Sequence, residues 1–369
     1  MKVAQILPEL NAGGVELCTL ELSTLLVQHG HEPIVISNGG NMVAKLEQSG
    51  VRHVTMPVHR KSLRSLFQVR KLRAWLRDEK PDIVHAHSRV PAWIAWLALR
   101  GMDPLTRPKF ITTVHGFYSV NAYSAIMTKG DRVIAVSESI RKYILKNYPS
   151  CPLELIRVIH HGIEQSVCGL DYRPSTAWLS KWQAEHPEFL NKQLLLLPGR
   201  ITRWKGQEDF IRLIAKLKNN NPNIHGLIAG DTHPKKRAFA AELHTLAMRL
   251  GVAENLTFLG HRSDIHEVMA ASDIVLSLSR DPEAFGRVTL EAMALGKPVV
   301  GYDHGGVSEQ LNEIFPRGKV PPGDSALVAT RITEILGQPT FPTSIGHFTQ
   351  QKMFDATVAT YGELFGKKP

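Results

Sequence analysis

Cysteine is scarce in this chain, with three residues (Cys18, Cys151 and Cys168) in 369. Their spacings form neither a disulfide framework nor a zinc site, so reduced thiols in a cytosolic protein are expected. Long apolar runs are missing as well. Stretches such as 194–197 and 298–300 fall far short of the roughly 20 residues that cross a bilayer. The first residues, MKVAQILPELNAGG, hold one Lys and a short apolar stretch broken by Pro8, which is no signal-peptide core. There is no D-x-D, and no His/Cys/Asp cluster has metal-ligand spacing, so no metal site is expected. Low-complexity tracts are absent too, and 43% hydrophobic with 21% charged residues excludes a disordered, collagen-like or fibrous chain.

What is present is enough for two globular domains. The net charge is +10, and it is uneven: residues 1–185 carry +8 and residues 186–369 carry +2. An anionic partner of the first half is the expectation, whether nucleic acid, an anionic membrane or a phosphorylated substrate. Short apolar, β-branched runs alternate with longer helical patterns, the mark of βαβ units. In the first half, 3–7, 32–37, 82–85, 109–114 and 132–136 read as strands, with helices over 14–29, 63–79, 91–100 and 138–147. Beyond 170 the order lapses in a polar stretch with Pro174, Pro187 and Asn191, read as a hinge over 171–192. It restarts with strands at 193–197, 224–229, 256–259, 274–278 and 298–302. The fold class is therefore α/β, with two doubly wound Rossmann-like domains, 1–170 and 193–348. Their parallel sheets are expected to face a cleft between them at the strands' carboxyl ends.

Three constellations carry chemistry. In DPEAFGRVTLEAMALGKPVVGY (281–302), Glu283 lies in a loop after a strand, Gly286 opens a helix, and Gly296 ends it. A helix start with its dipole suits a diphosphate or a sugar hydroxyl. Glu291, five residues past Gly286, can accept from a vicinal diol such as a ribose, and Glu283 from hydroxyls of another sugar. In PGRITRWKG (198–206), Arg200 and Lys205 follow a strand, where two cations can take up the charge growing on a leaving β-phosphate. In LPELNAGGVE (7–16), Gly13 and Gly14 let backbone approach a ligand closely. That turn is not G-x-G-x-x-G, and the next strand ends in Ser37-Asn38 without an acid, so a dinucleotide site is poorly supported. His87 and His115 both sit at strand ends. Finally, 59–77 (HRKSLRSLFQVRKLRAWLR) holds seven Lys+Arg and no acid. Leu66, Val69, Leu72 and Leu76 fall at helical spacing, with Phe67 and Trp75 expected buried, so one face can pack while the basic face meets solvent or anionic lipid.

The run E-A-F-G-R-V-x-L-E-A-M-A-x-G-K-P-V-V, followed by HGGVSE (304–309), closely resembles the glutamate-pair motif of glycosyltransferase family 4, whose members are retaining, nucleotide-sugar-dependent enzymes of the GT-B fold. The resemblance extends over nearly the whole chain. It implies that Glu283 contacts donor-sugar hydroxyls, that Glu291 binds the nucleotide ribose, and that backbone around Ala284, Phe285 and Gly286 holds sugar and phosphates. It further implies that Arg200 and Lys205 clamp the diphosphate, that Gly13 and Gly14 approach it from the other domain, and that His115 stands beside the donor sugar. The catalytic set would then be His115, Glu283, Lys205 and Arg200. The donor would be a UDP- or GDP-linked hexose, with neither metal nor further cofactor. The last helix, about 349–364 within the 349–369 tail, would cross back to the first domain. HSRVPAW and GDRVIAVS resemble the branch building lipopolysaccharide and other cell-surface glycans, which implies a glycan or glycolipid acceptor. A cytoplasmic enzyme, peripheral on the inner face of the membrane through 59–77, is the corresponding expectation. Two other readings stand beside it: a sugar-nucleotide epimerase of similar fold, and a basic nucleic-acid-binding protein. The second lacks aromatics interleaved with Lys/Arg.

Overall fold

The computed structural model describes residues 1–11, 13–61, 65–232 and 236–366. It divides into two compact units, Met1–His161 with Gln351–Pro369, and Gly162–Gln350.

The first unit is built on seven strands: β1 (Lys2–Ile6), β2 (Glu32–Ser37), β3 (Arg52–Thr55), β4 (Ile83–Ala86), β5 (Lys109–Val114), β6 (Arg132–Ala135) and β7 (Ile156–Val158). They run parallel in the order β3-β2-β1-β4-β5-β6-β7. Consecutive apolar residues such as Val3, Ala4, Ile34, Val35 and Ile36 are buried, as expected when helices cover both faces of a sheet. The order reverses between β1 and β4. That is the switch point at which crossover helices leave to opposite faces and the strands' carboxyl ends open. One core cluster joins Val3, Leu22, Ile83, Ile111 and Ile134 to Met353, Phe354 and Tyr361 of the helix Gln350–Glu363. Polar contacts fix that helix on the sheet. His85 Nδ1 lies 2.7 Å from the Tyr361 hydroxyl, and both Arg132 and Arg157 pair with Glu363 at 2.8 and 2.7 Å.

The basic segment forms the helix Ser65–Glu79. Val69, Leu72 and Leu76 are buried as their spacing predicts, while Arg70, Lys71 and Arg77 are exposed. Phe67 corrects the expectation: it is 70% exposed, because it falls off the Val69–Leu72–Leu76 stripe. Arg73 is not on the solvated face either, since its guanidinium donates to the carbonyls of Ala98 and Leu97 at 2.9 Å. Leu63 and Arg64, and the side chain of Leu66, lie outside what is described.

The second unit has six strands: β8 (Gln193–Pro198), β9 (Ile224–Ala229), β10 (Leu256–Gly260), β11 (Ile274–Ser277), β12 (Val299–Tyr302) and β13 (Lys319–Val320). They are again parallel, in the order β10-β9-β8-β11-β12-β13, which reverses between β8 and β11. Inside the stretch 171–192, residues Thr176–Glu185 are helical. The Ser175 hydroxyl accepts from the Trp178 amide, and Trp178 stacks on Trp182 with ring centroids 5.0 Å apart. Among the described residues no helix is long and apolar enough to cross a membrane.

Candidate active site

In the second unit the loops after β8 and β11 meet at the switch point. Gly206, between the β8 loop and the helix Gln207–Lys218, has the left-handed φ of +79°. A Cβ there would fall 2.0 Å from the Leu278 carbonyl oxygen, so only glycine lets the β8 loop lie against the end of β11. Across this junction Lys205 Nζ donates to Glu283 Oε1 at 2.8 Å, and the Ser279 hydroxyl donates to the same oxygen at 2.5 Å. Lys205 and Glu283 keep 15% and 17% of their side-chain surface exposed, which leaves the pair within reach of a ligand. Arg200 is exposed, and its guanidinium has no hydrogen bond or ion pair among the described residues. Its carbonyl accepts from Gln207 Nε2 at 3.1 Å.

The loop carrying Glu283 is braced from behind by the start of the helix Gly305–Ile314. The Gly306 amide donates to the Glu283 carbonyl at 2.8 Å, and a Cβ on Gly306 would clash with Ala284 O at 2.6 Å. Gln310 Nε2 donates to the Phe285 carbonyl at 2.7 Å, and His304 Nε2 lies 2.8 Å from the Ser279 carbonyl. This is a structural reason for the HGGVSE run. Phe285 itself is buried with its ring near Phe348, so only its backbone is available to a ligand.

Gly286, with φ +86°, caps the helix Arg287–Ala294 that carries Glu291. Glu291 is 8% exposed. Arg287 Nε donates to its Oε1 at 2.9 Å, and His266 Nε2 stands 3.9 Å from Oε2. Burial raises the pKa of this carboxyl, but His266 and Arg287 outweigh burial and hold it below the usual carboxylate range. Glu291 is thus an anion with both oxygens oriented, suited to accept from a diol. Cys168 donates from its thiol to the Glu291 carbonyl at 3.3 Å, and burial pushes that thiol up to about 12, Glu291 adding to the effect, so it is inert. Sequence reasoning missed Ser279, His266 and the brace by Gln310. Arg287 was findable, because an Arg four residues before a Glu on a helix is a pairing distance.

The first unit has its own cluster at the carboxyl ends of β1, β4 and β5. Gly13 precedes the helix Gly14–Gln28 in an extended conformation open to any residue. A Cβ at Gly14 would meet nothing, and one at Gly13 would meet only the Glu16 side chain. The fold does not demand glycine there. His87 Nδ1 lies 3.1 Å from His115 Nε2, and the His115 ring stacks on His161 at 5.4 Å.

Comparison with known proteins now decides the family. The model for "Glycosyltransferase Family 4" matches residues 12–167 and that for "Glycosyl transferases group 1" matches 180–352. The chain belongs to glycosyltransferase family 4. The transferase is 25% identical to MJ1607, an uncharacterized glycosyltransferase of Methanocaldococcus jannaschii, over 87% of this chain and 86% of the relative. A glycosyltransferase structure from Rickettsia africae matches at 28% identity and TM-score 0.85, covering 100% of this chain and 99% of that one. The Anabaena protein HepE, solved in complex with UDP, shares the fold at 23% identity and TM-score 0.83, covering 98% and 100%. The architecture is the GT-B type with two Rossmann-like halves.

Proposed function

We propose that the transferase moves a hexose from a UDP- or GDP-linked sugar to a glycan or glycolipid acceptor, with retention at the anomeric carbon, in lipopolysaccharide or other cell-surface glycan synthesis. The observation that carries this reading is the Lys205–Glu283 pair at the β8/β11 switch point, with Arg200 exposed in the same loop after β8. Glu283 accepts from donor-sugar hydroxyls while Lys205 and Arg200 hold the diphosphate. As the bond from the anomeric carbon to the β-phosphate oxygen breaks, negative charge grows on the phosphate, and two cations stabilise it more in the transition state than in the ground state. The acceptor oxygen bonds to the same face of that carbon, and its proton passes to the departing phosphate. Glu291 holds the ribose, and backbone from Ala284 to Gly286 approaches sugar and phosphates; in the first unit Gly13, Gly14 and His115 are the residues proposed to meet substrate. With two cations at the diphosphate, the reaction is taken to need no metal, and turnover should persist in excess EDTA. The enzyme works in the cytoplasm against the inner membrane face.

A thermal-shift panel of UDP, GDP, ADP and their common sugars tests the donor. A ligand at 100 times its Kd stabilises the fold by about 2.7 kcal/mol. If no nucleotide raises Tm in wild type, the reading fails. Where one does, the product's anomeric configuration by NMR tests retention.

A further inference from the structure

The buried stretch 3–7 of the first unit contains one polar side chain, Gln5, fully enclosed. Its Nε2 donates to the Ser23 hydroxyl at 2.6 Å, so its carbonyl oxygen is the atom that faces His87 Nε2 at 2.9 Å. A carbonyl oxygen only accepts, which requires His87 to carry its proton on Nε2. The Nδ1 of a neutral His87 is then a lone pair, and it faces His115 Nε2 at 3.1 Å. That nitrogen in turn must donate. His115 is left with an unprotonated Nδ1, which has no hydrogen-bond partner among the described residues.

We infer that Ser23, Gln5 and His87 are positioning residues that lock His115 in its Nε2–H tautomer, so that Nδ1 meets the substrate as a hydrogen-bond acceptor. The inference rests on the proposed contact of His115 with substrate, and it narrows what His115 can touch there. A bare Nδ1 pairs with a sugar hydroxyl, which donates; it repels a phosphate oxygen, which has no proton to give. His115 is thereby neither a general acid nor a phosphate clamp. Burial keeps the rings uncharged: His115 is pulled down to about 3, and His87 lies well below its ordinary range, with His85 and His115 adding to the effect. His85 does not supply the chain with a competing proton, since its two nitrogens are engaged by Tyr361 and by Thr113 at 2.6 Å.

The test is imidazole nitrogen NMR on the full chain labelled with ¹⁵N-histidine, His115 being assigned by its loss in His115→Gln. At pH 7 the wild type should show Nε2 protonated and Nδ1 bare. An Nδ1–H tautomer or an imidazolium overturns the inference. In Gln5→Met the His115 signals should become a mixture of tautomers. With the nucleotide sugar that the ligand panel selects, kcat of this variant should fall about tenfold while the donor KM stays within twofold. His87→Asn places an amide oxygen near the old Nδ1 and should retain more turnover than His87→Leu; equal losses would overturn the role of His87. Should Gln5→Met not fold, the wild-type spectrum and the two His87 variants carry the test. If no nucleotide sugar is turned over at all, the proposed activity falls, while the spectrum still decides the tautomer.

Discussion

Lys205 and Glu283 neutralise each other at 2.8 Å, so truncating either leaves the other charge without its partner. Lys205→Ala and Glu283→Ala should therefore lower turnover by about a hundredfold, with a smaller effect on nucleoside diphosphate affinity, since a donor group acting on developing charge counts mainly in the transition state. Glu291→Gln should do the reverse. It keeps the helix packing but gives up a charged acceptor, a change of roughly 1.5–3 kcal/mol, and nucleotide Kd should rise about tenfold or more. Titration calorimetry with the selected nucleotide separates the two classes, and unchanged affinity and turnover in all three would show the site to be misplaced. At this scale the sequence singled out Arg200, Lys205, Glu283 and Glu291 because each follows a strand end or a helix start, and the structure brings Lys205 and Glu283 together. It hid Ser279, His266 and Gln310. These act through contacts made only once distant loops are packed together, and no local spacing announces them.

Elements were legible where the pattern is long. The strands 32–37, 109–114 and 224–229 match β2, β5 and β9 residue for residue, and the helix 138–147 matches Glu138–Asn147. Missed were β3, β7 and β13, of four, three and two residues. Edge strands this short carry too few residues for a period, and β3 is only partly buried. The basic helix Ser65–Glu79 was read correctly as amphipathic, but its charges differ in availability. Arg73 is committed to carbonyls of the helix Arg89–Arg100, whereas Arg70, Lys71 and Arg77 are exposed. If this face docks on anionic lipid, each exposed cation contributes on the order of 1 kcal/mol, and salt weakens the attraction. The triple replacement of Arg70, Lys71 and Arg77 by Gln should abolish cosedimentation with vesicles containing phosphatidylglycerol while leaving Tm unchanged. Wild-type protein that ignores such vesicles at low salt would make the charge a solvated face.

Across the whole molecule, the two parallel sheets and their reversals follow from the βαβ rhythm, but the burial of histidines does not. His85, His87 and His225 sit with 1%, 2% and 2% of their surface exposed, on strand or strand-end positions that read as apolar. Burial holds His85 and His115 at about 3 and His225 at about 4, and His87 well below its usual range. In the unfolded chain each titrates near 6.5. Between those values the unfolded state binds protons that the folded state refuses, so stability rises with pH across this window. The contribution is complete above about 6.5 and is lost as pH falls toward 4. Each histidine adds a slope of up to about 1.4 kcal/mol per pH unit. Depressed carboxylates such as Glu291 act in a lower window, as the pH falls below their ordinary value of 4.5, whereas Asp273, raised by burial, takes up its proton earlier in the folded state and opposes the histidines. Scanning calorimetry from pH 7 to 5 should show Tm falling steeply before the depressed carboxylates titrate. A flat Tm across that range would mean that these rings are protonated in the folded protein. The hydrogen-bonded chain through Gln5 and His87 would then not be neutral.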